Sequence, residues 1–324
     1  MTDAGRHELV GAEVLDIMVP YWGSPDLLRA TVRSVLAQTD PAWRLVVVDD
    51  AYPDPAAGEW VQAIDDERVS YVRHGSNVGI TENYRACLRL ATAEHVVLLG
   101  CDDLLHPRYV EVVRRALADH PDVDMVQPGV QVVDEAGTPV RTLVDVVKQR
   151  FMTPRGRRVL SGEALATSLL RADWLYWPSL VLRREASVRA GFRSGFPIIQ
   201  DLAHVLDVVQ DGGNLLVVPE VCFSYRRHRR SASSTTLVDG SRFRGERQYF
   251  ELAAEQCEAL GWRRAARAAR WHSTSRAHAL ALLPGALVRR DRAAVGALWH
   301  HLTARSRGHL TDDLRAATSA REGH

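Results

Sequence analysis

The chain has 324 residues, of which 46% are hydrophobic and 25% are charged. This composition is typical of a soluble globular protein, and the length suits one large α/β domain with an appendage or two small domains. The formal net charge is only +1, so the chain as a whole shows no electrostatic attraction to nucleic acid. We therefore expect a soluble protein that does not bind nucleic acid.

The cysteines and the apolar runs bear on the cellular compartment. The four cysteines, at positions 87, 101, 222 and 257, are spaced neither like a zinc site nor like a redox pair, which favours reduced thiols. The N-terminal residues lack the apolar core of a signal peptide, and no apolar run approaches the roughly 18 residues that a membrane span needs. We predict a cytoplasmic location, with at most a peripheral contact at the inner face of the membrane.

Arginine is concentrated towards the C-terminus. Residues 241–324 contain 15 arginines against 8 acidic residues, in segments with helical periodicity. One interpretation is a solvated helical tail. The others are a basic surface that meets anionic lipid or a phosphorylated acceptor, and a homodimer contact through these helices.

In chain order, short apolar runs alternate with amphipathic segments through the first half. The predicted strands are 14–19, 45–48, 69–72, 96–99 and 125–127, and the predicted helices between them are 25–36, 58–64, 81–91 and 107–119. Pro20 is expected to end the first strand. Such alternation implies a parallel sheet with right-handed crossovers. Further on, we predict a helix from 198, strands 215–218 and 221–225, and helices from 241 onward.

Acidic pairs stand at the ends of two predicted strands. Neither a dinucleotide-binding glycine motif nor a P-loop lysine motif is present. Instead Asp49-Asp50 follows the second strand and Asp102-Asp103 follows the fourth. Ligands of open α/β sheets bind at these carboxyl ends, where carboxylates can bind a base, a ribose or a cation that neutralises a diphosphate. The pattern favours transfer from a nucleotide diphosphate, and turn or helix-capping aspartates are the alternative.

Three later segments have two interpretations each. The aromatic stretch 174–179 can stack on a sugar or pin a loop to the core. Asp201, in the first turn of its helix, is either a general base or a carboxylate that compensates the helix dipole. The basic segment 226–233 either closes over a diphosphate or is a solvated loop.

Six short motifs occur along the chain: V-P-Y-W (19–22), V-V-V-D-D (46–50), S-N-V-G (76–79), L-L-G-C-D-D (98–103), I-I-Q-D (198–201) and Y-R-R-H-R-R-S-A-S (225–233). In this order and spacing, the stretch from Leu15 to Ser234 resembles the family 2 glycosyltransferases. The resemblance implies a GT-A fold, a Rossmann-like and mostly parallel α/β sheet flanked by helices. It also implies a nucleotide-sugar-binding half at 1–130, an acceptor-binding and catalytic-base half at 131–235, and a helical, Arg-rich extension at 236–324.

The resemblance assigns donor-site roles to residues of the first half. Pro20 and Tyr21 would line the nucleotide. Asp50 would accept a hydrogen bond from the base, with Asn83 nearby. In the aspartate motif, Asp102 would contact the ribose or the donor sugar, and Asp103 would bind Mn²⁺ or Mg²⁺.

It also assigns catalytic and acceptor roles to the second half. Asp201 matches the catalytic base, and His228 matches a position that often binds the metal or the diphosphate. We expect Trp177 and Arg226 to contact the acceptor. Two positions depart from the family: Gly100 stands where an aspartate is frequent, and Gln200 stands where a glutamate is frequent. The second change removes a charge beside Asp201 and should ease its ionisation.

The expected reaction is inverting transfer from a UDP- or dTDP-linked sugar to an acceptor hydroxyl. The acceptor would be a glycan, a lipid-linked molecule or a small molecule, in cell-envelope polysaccharide synthesis or secondary-metabolite glycosylation. The alternatives are a nucleotidyltransferase and a non-catalytic protein that binds a sugar nucleotide. The first usually has a glycine-rich, lysine-containing phosphate loop, which this sequence lacks, and the second would not need its three candidate carboxylates.

Overall fold

The computed structural model describes residues 14–140, 152–196, 199–227, 241–271, 273–288 and 292–303. Within these residues, nine strands form one sheet: β1 Leu15–Tyr21, β2 Trp43–Asp49, β3 Val69–Arg73, β4 His95–Leu98, β5 Leu104–Leu105, β6 Met125–Val133, β7 Arg158–Ser161, β8 Val181–Arg183 and β9 Asn214–Arg226. The strand order is β3-β2-β1-β4-β8-β6-β9-β5, and β7 pairs with β9. The predicted α/β class is therefore confirmed.

The described helices lie between and after these strands. They are α1 Pro25–Leu36, α2 Ala56–Gln62, α3 Ile80–Leu90, α4 Tyr109–Asp119, α5 Gly162–Arg171, α6 Arg184–Ala190, α7 Gln200–Gln210, α8 Ser241–Ala259, α9 Arg263–Trp271, α10 Ser273–Val288 and α11 Arg292–Thr303. Among them, none combines the length and the apolar character that crossing a bilayer requires.

The first four strands form the parallel part of the sheet. β1 pairs in parallel with β2 and with β4, and β2 pairs in parallel with β3. β1 is longer than predicted, since it continues through Pro20 to Tyr21. Its pairing with β4 stops at Met18, so Pro20 lies where β1 has a single partner strand, a position that tolerates proline.

The second part of the sheet is mixed. β8 lies between β4 and β6 and is antiparallel to both, whereas β6 and β9 are parallel. Residues 215–225, predicted as two strands, belong to the single strand β9. A register shift at Gly129 accommodates Pro219 and Glu220, whose carbonyl oxygens lie 2.7 and 2.8 Å from the place of a Cβ at position 129. Only glycine fits this bulge.

Successive residues of the central strands face opposite sides of the sheet and enter two hydrophobic cores. Met18 and Val96 belong to one core, and Ile17 and Val97 belong to the other. Helices cover both faces. Helices α8 and α9 contribute to the first core, while α10 and α11 share a small core of their own.

The predicted division at residues 130 and 235 stays a prediction. β6 runs from Met125 to Val133 and so crosses the first boundary within one strand of the sheet. The second boundary falls among residues outside the described part of the chain.

Candidate active site

The carboxyl ends of β1 and β2 meet at one edge of the sheet. Tyr21 and Asp49 are opposite each other in the parallel register, and the Asp50 amide donates to the Tyr21 carbonyl oxygen at 3.0 Å. Pro20 and Tyr21 are both buried, and the Tyr21 hydroxyl donates to the Gly23 carbonyl at 2.9 Å. Burial raises the pKa of Tyr21, so its hydroxyl stays protonated. The structure thus brings these predicted donor residues to the edge where ligands of α/β sheets bind.

Asp49 and Asp50 are buried, and their carboxylates accept hydrogen bonds from other residues of the protein. Asp49 accepts hydrogen bonds from the Tyr52 amide at 2.8 Å, from the Tyr71 hydroxyl and from Arg73 at 2.5 Å. The Asp50 oxygens accept from the amides of Val78 at 2.6 Å and Gly79 at 2.9 Å. These contacts match the turn-capping alternative. Base recognition by Asp50 stays a prediction.

The backbone around Asp50 has two residues with positive φ. Gly79 has φ 83°, a conformation that glycine adopts without cost and that lets its amide reach the Asp50 carboxylate. Ala51 has φ 58°, in the left-handed region that is unfavourable for alanine. Strain of this kind persists where surrounding contacts fix the backbone, here at the turn that follows the aspartate pair.

The side chain of Asn83 is also hydrogen-bonded within the protein. Its side-chain amide donates to the Val48 carbonyl at 3.0 Å, and its oxygen lies 3.3 Å from His74 Nε2. Two aromatic residues without a predicted role lie nearer the surface. Trp22 is 49% exposed, and its ring meets that of Tyr52 edge-on at 5.4 Å. Their positions could have identified them, since Trp22 directly follows Tyr21 and Tyr52 comes just after the Asp49-Asp50 pair.

The Asp102-Asp103 pair lies in the turn between β4 and β5. β5 pairs with β9, which pins this turn to the end of β9. Asp103 is 1% exposed; its Oδ1 accepts from the Arg226 amide at 2.7 Å, and its carbonyl accepts from Thr31 Oγ1 at 2.8 Å. Burial, together with the neighbouring charge of Asp102, raises the pKa of Asp103 well above its ordinary range. Asp102 is half-buried.

Gly100 makes room for the buried carboxylate. A Cβ at position 100 would lie 2.5 Å from Asp103 Oδ2 and 3.1 Å from Asp102 Oδ1. The family frequently has an aspartate at position 100. In this protein the carboxylate of Asp103 occupies the space that such a side chain would need.

The aspartate pair suits a hard cation. Two adjacent carboxylates supply the oxygen ligands that Mg²⁺ and Mn²⁺ favour, and phosphate oxygens of a substrate commonly complete such sites. A cation would also offset the cost of ionising the buried Asp103. Among the described residues, no group of three or more His, Cys, Asp or Glu side chains gathers as a ready-made metal site. His228, the predicted further ligand, lies outside the described residues.

Arg226 fixes the aspartate turn. Its Nε donates to the Asp102 carbonyl at 2.8 Å, and its Nη1 donates to the carbonyls of Glu135 at 2.7 Å and Asp134 at 3.3 Å. The side chain is 7% exposed. The guanidinium is thus bonded to backbone carbonyls, and these contacts give Arg226 a positioning role. Acceptor binding by Arg226 stays a prediction.

Asp201 lies in the first turn of α7 and is half-buried. The preceding residue, Gln200, is 5% exposed and accepts a hydrogen bond from Thr81 Oγ1 at 2.7 Å, which ties α7 to the start of α3. The frequent family glutamate is thus replaced by a glutamine whose side-chain oxygen accepts this hydrogen bond without placing a second charge beside Asp201.

Tyr225, which sequence reasoning did not single out, lies among the candidate carboxylates. Burial raises the pKa of Tyr225 most, and the charges of Asp103, Asp102 and Asp201 raise it further. The pairing of Leu104 with Ser224 independently places the Asp102-Asp103 turn beside Tyr225, the residue that carries this hydroxyl. That hydroxyl stays protonated and can donate a hydrogen bond. Its position at the start of the Y-R-R-H motif was the signal that could have identified it.

Trp177 belongs to an aromatic cluster with Tyr84, Phe192 and His204. Its ring centroid lies 6.0 Å from that of Tyr84, 5.9 Å from that of Phe192 and 5.5 Å from that of His204. The side chain is 7% exposed. The structure therefore favours the alternative in which the aromatic stretch pins a loop to the core, and acceptor stacking by Trp177 stays a prediction.

Comparisons with known proteins agree with this architecture. Residues 16–174 match the family model described as glycosyl transferase family 2. The chain is 29% identical over 233 residues to the uncharacterized protein y4gI of Sinorhizobium fredii, covering 70% of this chain and 24% of that protein. It is 26% identical over 100 residues to WcaA of Escherichia coli, named for glycosyl transfer in colanic acid biosynthesis, covering 31% of this chain and 36% of that protein. The chain thus spans between about a quarter and a third of these relatives.

Among solved structures, the fold is similar to that of residues 1–349 of S. aureus TarS, crystallised with UDP-GlcNAc. The TM-score is 0.65 and the sequence identity 15%, with 95% of this chain and 88% of that chain covered. This similarity confirms the predicted GT-A fold. The family match shows that residues 16–174 form a glycosyltransferase family 2 domain.

Proposed function

We propose that the protein transfers a sugar from a nucleoside diphosphate sugar to an acceptor hydroxyl with inversion at the anomeric carbon. The observation that carries the proposal is the placement of Asp102 and Asp103 in a turn that β5 and Arg226 fix against β9, with Asp201 on a separate helix. Two of these carboxylates belong to the strand-end turn where a donor would bind, and the third belongs to the first turn of a different element. A single displacement needs a donor-side pair and a separate carboxylate that acts as the base.

In the proposed step, Asp201 is the general base. Its carboxylate takes the proton of the acceptor hydroxyl while that oxygen forms a bond to the anomeric carbon, and the bond from this carbon to the diphosphate oxygen breaks. The nucleoside diphosphate leaves with the bonding electron pair. The Thr81–Gln200 hydrogen bond would hold the first turn of α7 in place during this transfer.

Asp102 and Asp103 would hold Mn²⁺ or Mg²⁺, with His228 as a further predicted ligand. When bound, such a cation would neutralise negative charge on the diphosphate leaving group. The protein's own contribution there is to fix the two carboxylates: β5 pairs their turn with β9, and Arg226 holds it through backbone carbonyls.

The donor and acceptor are proposed from similarity. The TarS complex with UDP-GlcNAc supports a UDP-linked donor, and a dTDP-linked donor is the alternative. The name of WcaA supports a cell-envelope polysaccharide as acceptor. Lipid-linked and small-molecule acceptors, a cytoplasmic location with peripheral membrane contact, and a homodimer through the C-terminal helices are further proposals that the same purified protein can test.

The deciding experiment compares Asp201→Asn with Asp211→Asn, a matched change at the exposed other end of α7. Release of UDP from UDP-GlcNAc and other UDP- and dTDP-sugars is measured with and without Mn²⁺ and with a panel of acceptors. We expect Asp201→Asn to lower kcat by roughly 10²- to 10⁴-fold, the usual contribution of a general base, and Asp211→Asn to leave it unchanged.

Full turnover by Asp201→Asn would reject the base assignment. Unchanged activity in excess chelator would reject the metal role, and retention of configuration in the product, read by NMR, would reject inversion. Pyrophosphate release from a nucleoside triphosphate would favour the nucleotidyltransferase alternative, and donor binding without any transfer would favour the non-catalytic one.

A further inference from the structure

A groove of about 740 Å³ lies between α5 and α9, outside the site described above. Both helices line it with residues three or four positions apart, which places them on one face of each helix. These residues are Ala164, Thr167, Ser168 and Arg171 of α5 and Arg264, Arg267, Ala268 and Trp271 of α9. The two helix N-termini lie together, since the Arg264 amide donates to Glu163 Oε1 at 2.5 Å. Arg171 and Trp271 therefore share the other end of the groove.

Helix α9 presents its arginines to this groove and to solvent. Its sequence R-R-A-A-R-A-A-R-W buries four alanines against the protein and leaves every arginine exposed. Arg270 pairs with Glu258. Within the described part of the chain, the side chains of Arg264 and Arg267 form no ion pair, so two unpaired arginines line the groove wall.

The floor of the groove contains a buried hydroxyl with no internal partner. Thr167 is only 7% exposed, and its Oγ1 makes no hydrogen bond to any described residue. The neighbouring Ser168 Oγ is already engaged, because it accepts from Trp174 Nε1 at 3.0 Å. The Thr167 hydroxyl is therefore sealed beneath the groove, and the groove's surface chemistry is set by its arginines and by Trp271.

The rim of the groove has an exposed aromatic ring. Trp271 is 70% exposed, next to Arg171 at the end of the groove. Indole rings present an apolar face with a polar edge, which suits stacking on the carbon face of a sugar ring. Positive charge and a stacking ring together match a charged carbohydrate.

We propose that this groove binds an anionic glycan, the part of an acceptor chain that carries carboxylate or phosphate groups beyond the reacting sugar. The inference rests on the proposed glycosyl transfer. Helix α5 packs on α7, whose first turn holds Asp201, and α5 leads directly into the aromatic stretch that contains Trp177. The groove is therefore bordered by a helix that also packs against the helix carrying the candidate base.

The alternative partner of a basic helix is an anionic membrane. A membrane-bound helix turns its apolar face towards the lipid, whereas α9 turns its alanines towards the protein and exposes arginines and one tryptophan. A concave site of this volume also falls in the range of ligand pockets. The observations favour the glycan.

The test uses the purified full chain and isothermal titration at low and high salt. The probes are a hexamer of galacturonic acid, a neutral glucose hexamer of the same length, and phosphatidylglycerol vesicles. We expect the galacturonate hexamer to bind roughly tenfold or more tightly than the neutral hexamer, with an affinity that falls as salt rises. Equal binding of both hexamers, binding of vesicles alone, or binding of no probe would overturn the proposal.

Variants locate the binding in the groove. Arg267→Glu should weaken binding of the galacturonate hexamer by roughly tenfold, the equivalent of one charge-assisted hydrogen bond. The matched control is Arg89→Glu, an exposed arginine on α3 with the same change in net charge, and it should stay within about twofold. Trp271→Ala should weaken the binding of both hexamers. If Arg267→Glu and Arg89→Glu weaken binding of the galacturonate hexamer equally, the groove is not the binding site.

Donor binding separates this inference from the proposed function. UDP-GlcNAc binding, followed as a shift in thermal midpoint, should be the same in the wild type and in Arg267→Glu. If the wild type binds the donor but not the galacturonate hexamer, only the glycan-binding groove is rejected. If the wild type does not bind the donor, the proposed function itself is rejected.

Discussion

Arg226 offers a direct test of how the aspartate turn is held. In Arg226→Ala, the carbonyls of Asp102, Asp134 and Glu135 lose their guanidinium donors. Glu135 is exposed, so its carbonyl can bond to water instead, and the contact with the half-buried Asp102 turn should account for most of the cost. A hydrogen bond from a charged group contributes about 1.5–3 kcal/mol. Adding the lost packing of a side chain only 7% exposed, we expect a loss of roughly 3 kcal/mol in the free energy of unfolding.

The assay is urea unfolding of the wild type, Arg226→Ala, Arg226→Met and the surface control Arg89→Ala. Methionine keeps most of the volume and removes the donors, so it separates hydrogen bonding from packing. We also expect a higher KM for the donor sugar nucleotide in both Arg226 variants, because the Asp102-Asp103 turn is no longer fixed. A loss below about 1 kcal/mol together with an unchanged KM would refute the positioning role.

Three further changes test the local structure around the sheet. Ala51→Gly should raise the free energy of unfolding by roughly 0.5–1 kcal/mol, since glycine relieves the φ of 58° at a smaller entropic cost. Gly58→Ala should lower it by about 1 kcal/mol, because the new Cβ would clash with the Tyr71 hydroxyl and overpacking outweighs the gain in helix propensity. Burial and the charge of Arg183 lower the pKa of His95 from 6.5 to about 4, so stability should fall by up to about 3 kcal/mol as pH drops through that range, where the unfolded chain binds the proton more readily. Urea unfolding measures all three, the last at pH 7 and pH 4.

Each of these has a matched control. Ala51→Val should destabilise, since a β-branched residue is least tolerant of positive φ. In a Tyr71→Ala background, Gly58→Ala should become stabilising, because the clash is gone while the helix propensity remains. His95→Gln should flatten the acid part of the stability profile. A profile identical to that of the wild type would mean that other groups cause the acid loss.

The sequence was most informative about the parallel part of the sheet. Runs such as Val46–Val48 and Val96–Leu99 are buried on both faces, and uninterrupted apolar runs are the pattern of such strands. The same patterns placed both aspartate pairs at strand ends. The insertion of β8 between β4 and β6 depends on pairing with residues far away in the chain, which a local pattern does not predict. The two-residue β5 is too short to leave a periodic pattern.

The site shows the same division between local and distant information. Residue type and position identified Asp50, Asp103 and Asp201 as candidates. Whether each carboxylate faces solvent or the protein depends on its partners, and these lie far along the chain: Val78 and Gly79 for Asp50, and the Arg226 amide for Asp103. Single-sequence patterns do not encode such contacts, so the burial of Asp103 and the centrality of Tyr225 emerged only from the structure.

The late position of β9 has a consequence for how the protein is made. Synthesis proceeds from the N-terminus, and early segments can fold before later ones leave the ribosome. A nascent chain that ends before β9 already contains β1 to β4 and both aspartate pairs, yet it lacks the strand that pairs with β5 and β6. The aspartate turn then has no Arg226 to hold it. Premature termination between residues 104 and 225 therefore yields a chain with a donor-side sheet but an unfinished active site.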